Sequence, residues 1–171
     1  MIIRVSKSLC VCAIAFFISL SAFNNLTDYN INFTFIQHVL TMDSIFYDAT
    51  IKYRAIDSPI LHHFAYITII MLEIISSLIC WWGGIRLFQN RNKSAAIFNR
   101  SKNMAIIGLT LAFVLWQTLF MSIGGEWFAM WMSKQWNSVP NAFRFFVTVL
   151  LVLIYVASQD SDKESTSSVT Y

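Results

Sequence analysis

Charged residues are scarce in this sequence. They make up 12% of its 171 residues, against roughly 25% in soluble globular proteins, whereas hydrophobic residues reach 57%, against about 45–50%. Together these two shifts indicate that lipid, rather than water, surrounds much of the chain. The net charge of +3 is too small to indicate a nucleic-acid partner.

The sequence also lacks the motifs that mark the common enzyme and metal-binding classes. Its three cysteines, Cys10, Cys12 and Cys80, lie in apolar stretches, so no disulfide framework is expected and the C-x-C pair is interpreted as packing. No P-loop, dinucleotide-binding pattern or HxxxH or HExxH spacing occurs. We therefore predict no catalytic residue, no cofactor and no metal site.

Four apolar segments have the length of membrane-spanning helices, which need about 20 residues. The first and the last reach that length if Lys7 and Arg144 extend their charged groups toward the lipid headgroups. We expect an all-α, four-helix transmembrane bundle forming one membrane domain over residues 1–158, followed by a disordered cytoplasmic tail over residues 159–171. The predicted spans cover about residues 5–23, 62–85, 104–123 and 141–158.

Basic residues are distributed unevenly between the two sides of these spans. One side holds eight Lys and Arg, of which two precede the first span, five lie between the second and third, and one is Lys163, whereas the other side holds four. The positive-inside rule then places both termini in the cytoplasm. An alternative is a cleaved signal peptide, with Ser19-Leu20-Ser21 as the cleavage region, which would leave three spans in the same orientation.

The two segments on the opposite side are rich in aromatic residues. Residues 24–59 mix Asn and Asp with Phe and Tyr, a composition untypical of disorder, so we predict an extracytoplasmic cap of loops and short interfacial helices. Within it, Ser44 is predicted to begin an amphipathic helix. In the second outer loop Trp127, Trp131 and Trp136 are the predicted anchors at the headgroup level.

Two polar residues inside the predicted spans are the first candidate functional residues. Glu73 lies near the middle of the second span, where an ionised carboxylate costs several kcal/mol unless it is paired, hydrated or protonated. It is either a proton- or cation-handling group or an acid that hydrogen-bonds between helices. Gln117, in the third span, is its candidate partner.

Other polar candidates lie at the outer boundary. Glu126 and Arg144 are expected to form an ion pair that holds the third and fourth spans together. A polar cluster could bind a polar ligand or a divalent ion, although turn and cap chemistry explains its residues equally well. Its members are Asn24, Asn25, Asp28, His38 and Asp43.

Longer strings of this sequence are similar to a known bacterial family. They are FNNLTDYNINFTFIQHVLTMD (Phe23 to Asp43), YRAI (Tyr53 to Ile56), GGEWFAMWMSKQWN (Gly124 to Asn137) and AFRFF (Ala142 to Phe146). They resemble a family of predicted small integral membrane proteins, domain of unknown function 2165, over nearly the whole chain except the tail. The resemblance implies a four-span protein of the bacterial inner membrane, and it implies no activity, cofactor or catalytic residue.

Three function classes remain open. We favour a non-enzymatic accessory or structural subunit of a membrane complex, in contact with the lipid bilayer and with other subunits or further copies of itself. The second class is a small ion- or proton-coupled transporter or channel component centred on Glu73, although four spans leave little room for a private pathway in a monomer. The third, least favoured, is a membrane enzyme with a site on the outer face, which would be expected to show a tighter group of polar residues.

Overall fold

The computed structural model describes residues 1–162, and in this part the chain forms helices and no strands. A 13-residue π-helical segment continues directly from α5, and two short 3₁₀ turns, Thr50–Arg54 and Met130–Met132, lie in the connections. The helices are α1 (Ile2–Thr27), α2 (Tyr29–Thr41), α3 (Pro59–Gln89), α4 (Ala95–Ser101), α5 (Asn103–Val114), the π segment (Leu115–Trp127) and α6 (Val139–Ala157).

Four helical stretches are long and apolar enough to cross a membrane, which confirms the predicted all-α class with four spans. These are α1, α3, the continuous stretch Ala95–Trp127 and α6. Several exceed the predicted spans because helices continue past the hydrocarbon boundary. The 31 residues of α3, for example, extend about 46 Å, whereas the hydrocarbon core is about 30 Å thick.

Small residues let α3 lie close to both of its main neighbours. A Cβ atom built on Gly84 would lie 2.5 Å from the Sγ atom of Cys12 on α1, and one on Gly83 would overlap the backbone of Ala105 on α5. The Ser8 hydroxyl donates a hydrogen bond to the carbonyl oxygen of Gly84 at 2.7 Å. Close backbone approach at glycine is a common way to pack helices where lipid removes the hydrophobic drive for association.

The buried apolar side chains form two clusters, one toward each end of the bundle. The first cluster lies among α1, α3, α4, α5 and α6 and includes Val11, Ile18, Leu87, Phe98, Leu109 and Val149. The second joins α2, α3 and the π segment to the connecting loops and includes Ile36, Met42, Tyr66, Leu115, Trp116 and Phe128. We call residues 28–58 and 128–138, which lie at this second end, the cap.

The helix in the cap is α2, and the prediction of a helix that begins at Ser44 is wrong. Residues 42–49 form turns, because Met42 adopts a left-handed backbone conformation (φ 51°) that ends α2. The helix instead precedes this point, and its buried residues Ile36, Val39 and Leu40 recur at the three- and four-residue spacing of one helix face.

The start of α1 and the chain after α6 meet at the end of the bundle opposite the cap, which we call the basic end. There the ammonium group of Lys7 donates a hydrogen bond to the carbonyl oxygen of Ser158 at 2.7 Å. Most of the predicted disordered tail, including Lys163, lies outside the described residues. Its first four residues, 159–162, lie within them and contact α1, α4 and α5.

Candidate functional site

A cleft of about 370 Å³ extends from the middle of α3 to the cap. Glu73 lies in its wall, and its side chain is only 1% exposed. We call this space the Glu73 cleft. Its polar wall residues come from α1, α2, α3 and the cap, and they include Ser21, Asn25, Asn32, Tyr66, Gln135 and Ser138.

Both carboxylate oxygens of Glu73 accept hydrogen bonds from α1. The Ser21 hydroxyl donates to Oε1 at 2.8 Å, and the Asn25 amide nitrogen donates to Oε2 at 2.7 Å. Both donors are neutral. Within residues 1–162 no Lys, Arg or His forms an ion pair with Glu73, so the hydrogen bonds satisfy the oxygens without neutralising a charge.

Asn25 is itself held in place by Tyr66. The Tyr66 hydroxyl donates to the backbone oxygen of Asn25 at 3.1 Å and approaches its side-chain oxygen at 3.3 Å. Because the side-chain oxygen faces Tyr66, the amide nitrogen points to Glu73. A chain of three polar side chains therefore ties α1 to α3 along the cleft.

The wall of the Glu73 cleft also contains the buried side chain of Trp116. It is the second residue of the π segment, is 5% exposed and lines the cleft. Its indole N–H finds no acceptor among the described residues. A buried donor without a partner is costly, and the structure gives no account of it.

The predicted partner of Glu73, Gln117, is not among its hydrogen-bonding partners within the described residues. The partners come from α1, which packs along α3. Ser21 was not singled out from the sequence. The signal that could have found it is its spacing from Asn25, since residues four apart lie on one face of a helix.

The residues predicted as an outer polar cluster do not form one site. Asn25 faces Glu73, whereas Asn24 and Asp28 are exposed at the end of α1. His38 and Asp43 lie at the other end of α2, where the His38 Nδ1 atom is 2.7 Å from the Asp43 carboxylate. The part of the chain that the structure describes holds no group of three His, Cys, Asp or Glu side chains placed to share a metal ion.

The three predicted tryptophan anchors differ in their surroundings. Trp127 and Trp131 are exposed, and the guanidinium of Arg54 lies 4.6 Å from the centre of the Trp127 ring. Trp136 instead stacks on the His38 ring at 4.4 Å.

The other boundary prediction concerns Glu126 and Arg144. Both side chains are exposed, and across residues 1–162 no ion pair joins them.

A dense group of charged residues lies at the basic end, which we call the basic-end cluster: Arg4, Lys7, Lys102, Asp160 and Asp162. Lys7 and Lys102 are 1% and 3% exposed, and each donates from its ammonium group to the same oxygen of Asp160 at 2.6 Å. Burial alone would raise the pKa of Asp160, but the hydrogen bonds and charges of the two lysines outweigh it and hold that pKa below its ordinary value. The Asp162 carboxylate accepts from the backbone N–H of Ala95 at the start of α4.

Comparison with known proteins adds one match. A family model described as "Predicted small integral membrane protein (DUF2165)" matches residues 3–159 of the chain. No curated protein and no solved structure matches it. The matched region contains the four spans, the cap and every wall residue of the Glu73 cleft, and it ends one residue before Asp160.

Proposed function

Because the chain belongs to this family of predicted small integral membrane proteins, whose function is unknown, we propose that it binds a small cationic group in the Glu73 cleft. The ligand class is a monovalent metal cation or a small protonated amine. Glu73 would be its counter-ion, and the cleft its route from the cap. This makes the protein a binding or ion-coupled component of the membrane rather than an enzyme.

The observation that supports the proposal is the buried carboxyl group of Glu73: both of its oxygens accept hydrogen bonds from neutral donors, and it has no ion-pair partner within residues 1–162. An ionised carboxylate in a low-dielectric interior is costly unless an opposite charge compensates it. Ser21 and Asn25 present a hydroxyl and an amide N–H, which suit an ionised acceptor but supply no charge. A cation entering the cleft would supply the opposite charge.

The proposed orientation places both termini and the loop between α3 and α5 in the cytoplasm of a bacterial cell, with the protein in the inner membrane. It rests on the uneven distribution of Lys and Arg along the sequence, with eight on the predicted cytoplasmic side and four on the other. The cap and the mouth of the Glu73 cleft would then face the extracytoplasmic side, so the ligand would enter from there.

Binding can be tested with the full-length protein in lipid nanodiscs. Na⁺ and methylammonium are added as probes, with bulky N-methylglucammonium keeping the ionic strength constant, and the unfolding temperature is followed. A probe at about 100 times its Kd should stabilise the wild type by about 2.7 kcal/mol. Glu73→Gln should fold, because its amide oxygen can still accept one hydrogen bond, but should lose this stabilisation.

The matched control is Glu126→Gln, the same chemical change at an exposed glutamate of the same membrane domain. It should respond to the probes as the wild type does. Equal stabilisation of the Glu73→Gln and wild-type proteins by both probes would overturn the proposed function.

A second candidate function is an accessory or structural subunit of a membrane complex, and exposed aromatic side chains on the cap favour it. Tyr47, Tyr53 and Trp131 are all exposed there. Such rings are typical of lipid-headgroup contacts and of protein interfaces. If they contact another subunit, replacing Tyr47 and Trp131 by Ser should release a co-purifying partner, whereas Glu73→Gln should retain it.

A further inference from the structure

A second cavity, of about 330 Å³, lies between α2, α3 and the π segment. We call it the apolar cavity. Thr68 supplies the only polar side chain in its wall, and the Thr68 hydroxyl donates at 2.8 Å to the carbonyl oxygen of Phe64 in its own helix. The side chains of the wall therefore provide almost no hydrogen-bonding groups for water. An apolar space of this kind takes hydrocarbon rather than water.

The rim of the apolar cavity lies on membrane-spanning helices. Leu61, Phe64 and Ile123 line it and are exposed, Phe64 to 69%. These residues belong to the spans Pro59–Gln89 and Ala95–Trp127. In a bilayer the exposed rim faces lipid chains, so hydrocarbon can enter sideways without crossing water.

The long axis of the apolar cavity follows α3 from the cap toward the middle of the bundle. Its wall residues on α3 lie between Leu61 and Ile69, which are eight residue steps or about 12 Å of helix apart. Ile69 is one turn from Glu73 and also lines the Glu73 cleft. A chain descending from the cap side would therefore end against the wall that separates the two spaces.

A cationic side chain lies at the cap end of this cavity. Arg54 donates a hydrogen bond to the carbonyl oxygen of Trp127 at 3.3 Å, and its guanidinium covers the Trp127 ring. Ile56, two residues after Arg54, and Phe128, directly after Trp127, line the apolar cavity. Arg54 thus bridges the two segments that close the cavity on the cap side, and guanidinium is well suited to bind phosphate.

We propose that the apolar cavity holds one acyl chain of a phospholipid from the leaflet on the cap side, with the lipid phosphate at Arg54. The depths agree, because the cationic group lies at the cap end and the hydrocarbon space extends inward from it. The site is distinct from the Glu73 cleft and does not depend on a ligand there. Phe35, Ile36 and Phe120 line both spaces, so the bound chain would also support one wall of the Glu73 cleft.

The test uses the full-length protein in nanodiscs that contain a phospholipid with a diazirine near the end of one acyl chain. After irradiation, mass spectrometry locates the cross-links. The proposal expects them on the cavity-lining stretches 61–69 and 119–124. Labelling confined to lipid-facing residues outside the cavity, such as Met71 and Leu78, would overturn it, and this result needs no variant.

Two substitutions and a second probe test the acyl-chain assignment and the phosphate assignment separately. Ala65→Phe fills the cavity and should reduce cavity labelling at least tenfold, whereas Ala13→Phe, the same change at an exposed position of α1, should not. Arg54→Gln should weaken cavity labelling by the phospholipid but not by a diazirine-bearing alkane without phosphate. If Arg54→Gln lowers neither, the phosphate assignment is overturned; if Ala65→Phe leaves the labelling unchanged in a monodisperse protein, the acyl-chain assignment is overturned.

Discussion

The basic-end cluster allows a sharp test of how this bundle is held together, through the substitution Asp160→Asn. Asp160 is the shared acceptor of two ammonium groups that are almost fully buried, those of Lys7 and Lys102. Asparagine keeps the size of the side chain and one acceptor oxygen. It removes the only negative charge within ion-pairing distance of these two lysines among the described residues.

The expected cost follows from burial. Removing one partner of a buried ion pair costs about 3–5 kcal/mol, because the remaining charge stays in a low-dielectric environment. The retained acceptor oxygen of asparagine and the carbonyl of Ser158, which both lysines also contact at 2.7 Å, should keep the loss near the lower limit, at about 3 kcal/mol. The four groups lie on α1, at the junction of α4 and α5, and on the chain after α6, so the loss should affect the whole bundle.

Unfolding in detergent, followed by the circular dichroism of the helices, measures this cost. The matched control is Asp57→Asn, the same change at an exposed position of the cap, which should stay within about 0.5 kcal/mol of the wild type. If Asp160→Asn and Asp57→Asn were equally stable, the reasoning would be refuted, and the cluster would be a set of solvated surface contacts.

Three further predictions concern the pH dependence of stability, the packing of α1 on α3 and the orientation in the membrane. Folding lowers the pKa of Asp160, so its contribution to the free energy of unfolding should be complete above the ordinary carboxyl pKa and lost as the pH falls through the folded value. Asp160→Asn should therefore make stability, measured by thermal unfolding, less dependent on pH in the acid range. Gly84→Ala should cost about 1–3 kcal/mol in the unfolding assay, and adding Cys12→Ala should recover part of it, because the new Cβ meets the Cys12 sulfur; full additivity of the two changes would contradict this. A reporter active only in the cytoplasm should be active when fused after Tyr171 and silent when inserted near Ser133, and the reverse pattern would invert the proposed orientation.

The spans were predictable from the sequence because apolar length is a local property. A stretch of about 20 residues without charge needs no knowledge of its neighbours to be recognised. The ends of the helices were not predictable in the same way, since the helix of Pro59–Gln89 continues beyond the apolar stretch at both ends. The cap helix was misplaced because the turn at Met42, a residue with no preference for left-handed backbone, is fixed by tertiary packing around its buried side chain.

Glu73 was predictable from the sequence, but its hydrogen-bonding partners were not. Glu73 stands out because a carboxylate is costly at mid-membrane, but its partners depend on which residues of another helix lie at the same depth. Ser21 and Asn25 donate hydrogen bonds to Glu73, whereas Gln117 is not among its partners in the described residues. Asp160 was harder still, since the polar residues around it are typical of a disordered tail. Only the packed bundle reveals that Lys7 and Lys102 converge where an anion is needed.

The buried ionisable groups at the basic end and at Glu73 have different partners, and the difference supports the proposal for Glu73. At the basic end, two lysines are compensated by a carboxylate as well as by carbonyl oxygens. At Glu73, a hydroxyl and an amide complete the hydrogen bonds, and no residue in the range 1–162 supplies an opposite charge. If Glu73 served only to join α1 to α3, glutamine could still accept one of the two hydrogen bonds without the cost of a buried acid. A carboxylate in that position, at the wall of a cleft that reaches the cap, is the arrangement expected when the opposite charge is delivered by a ligand.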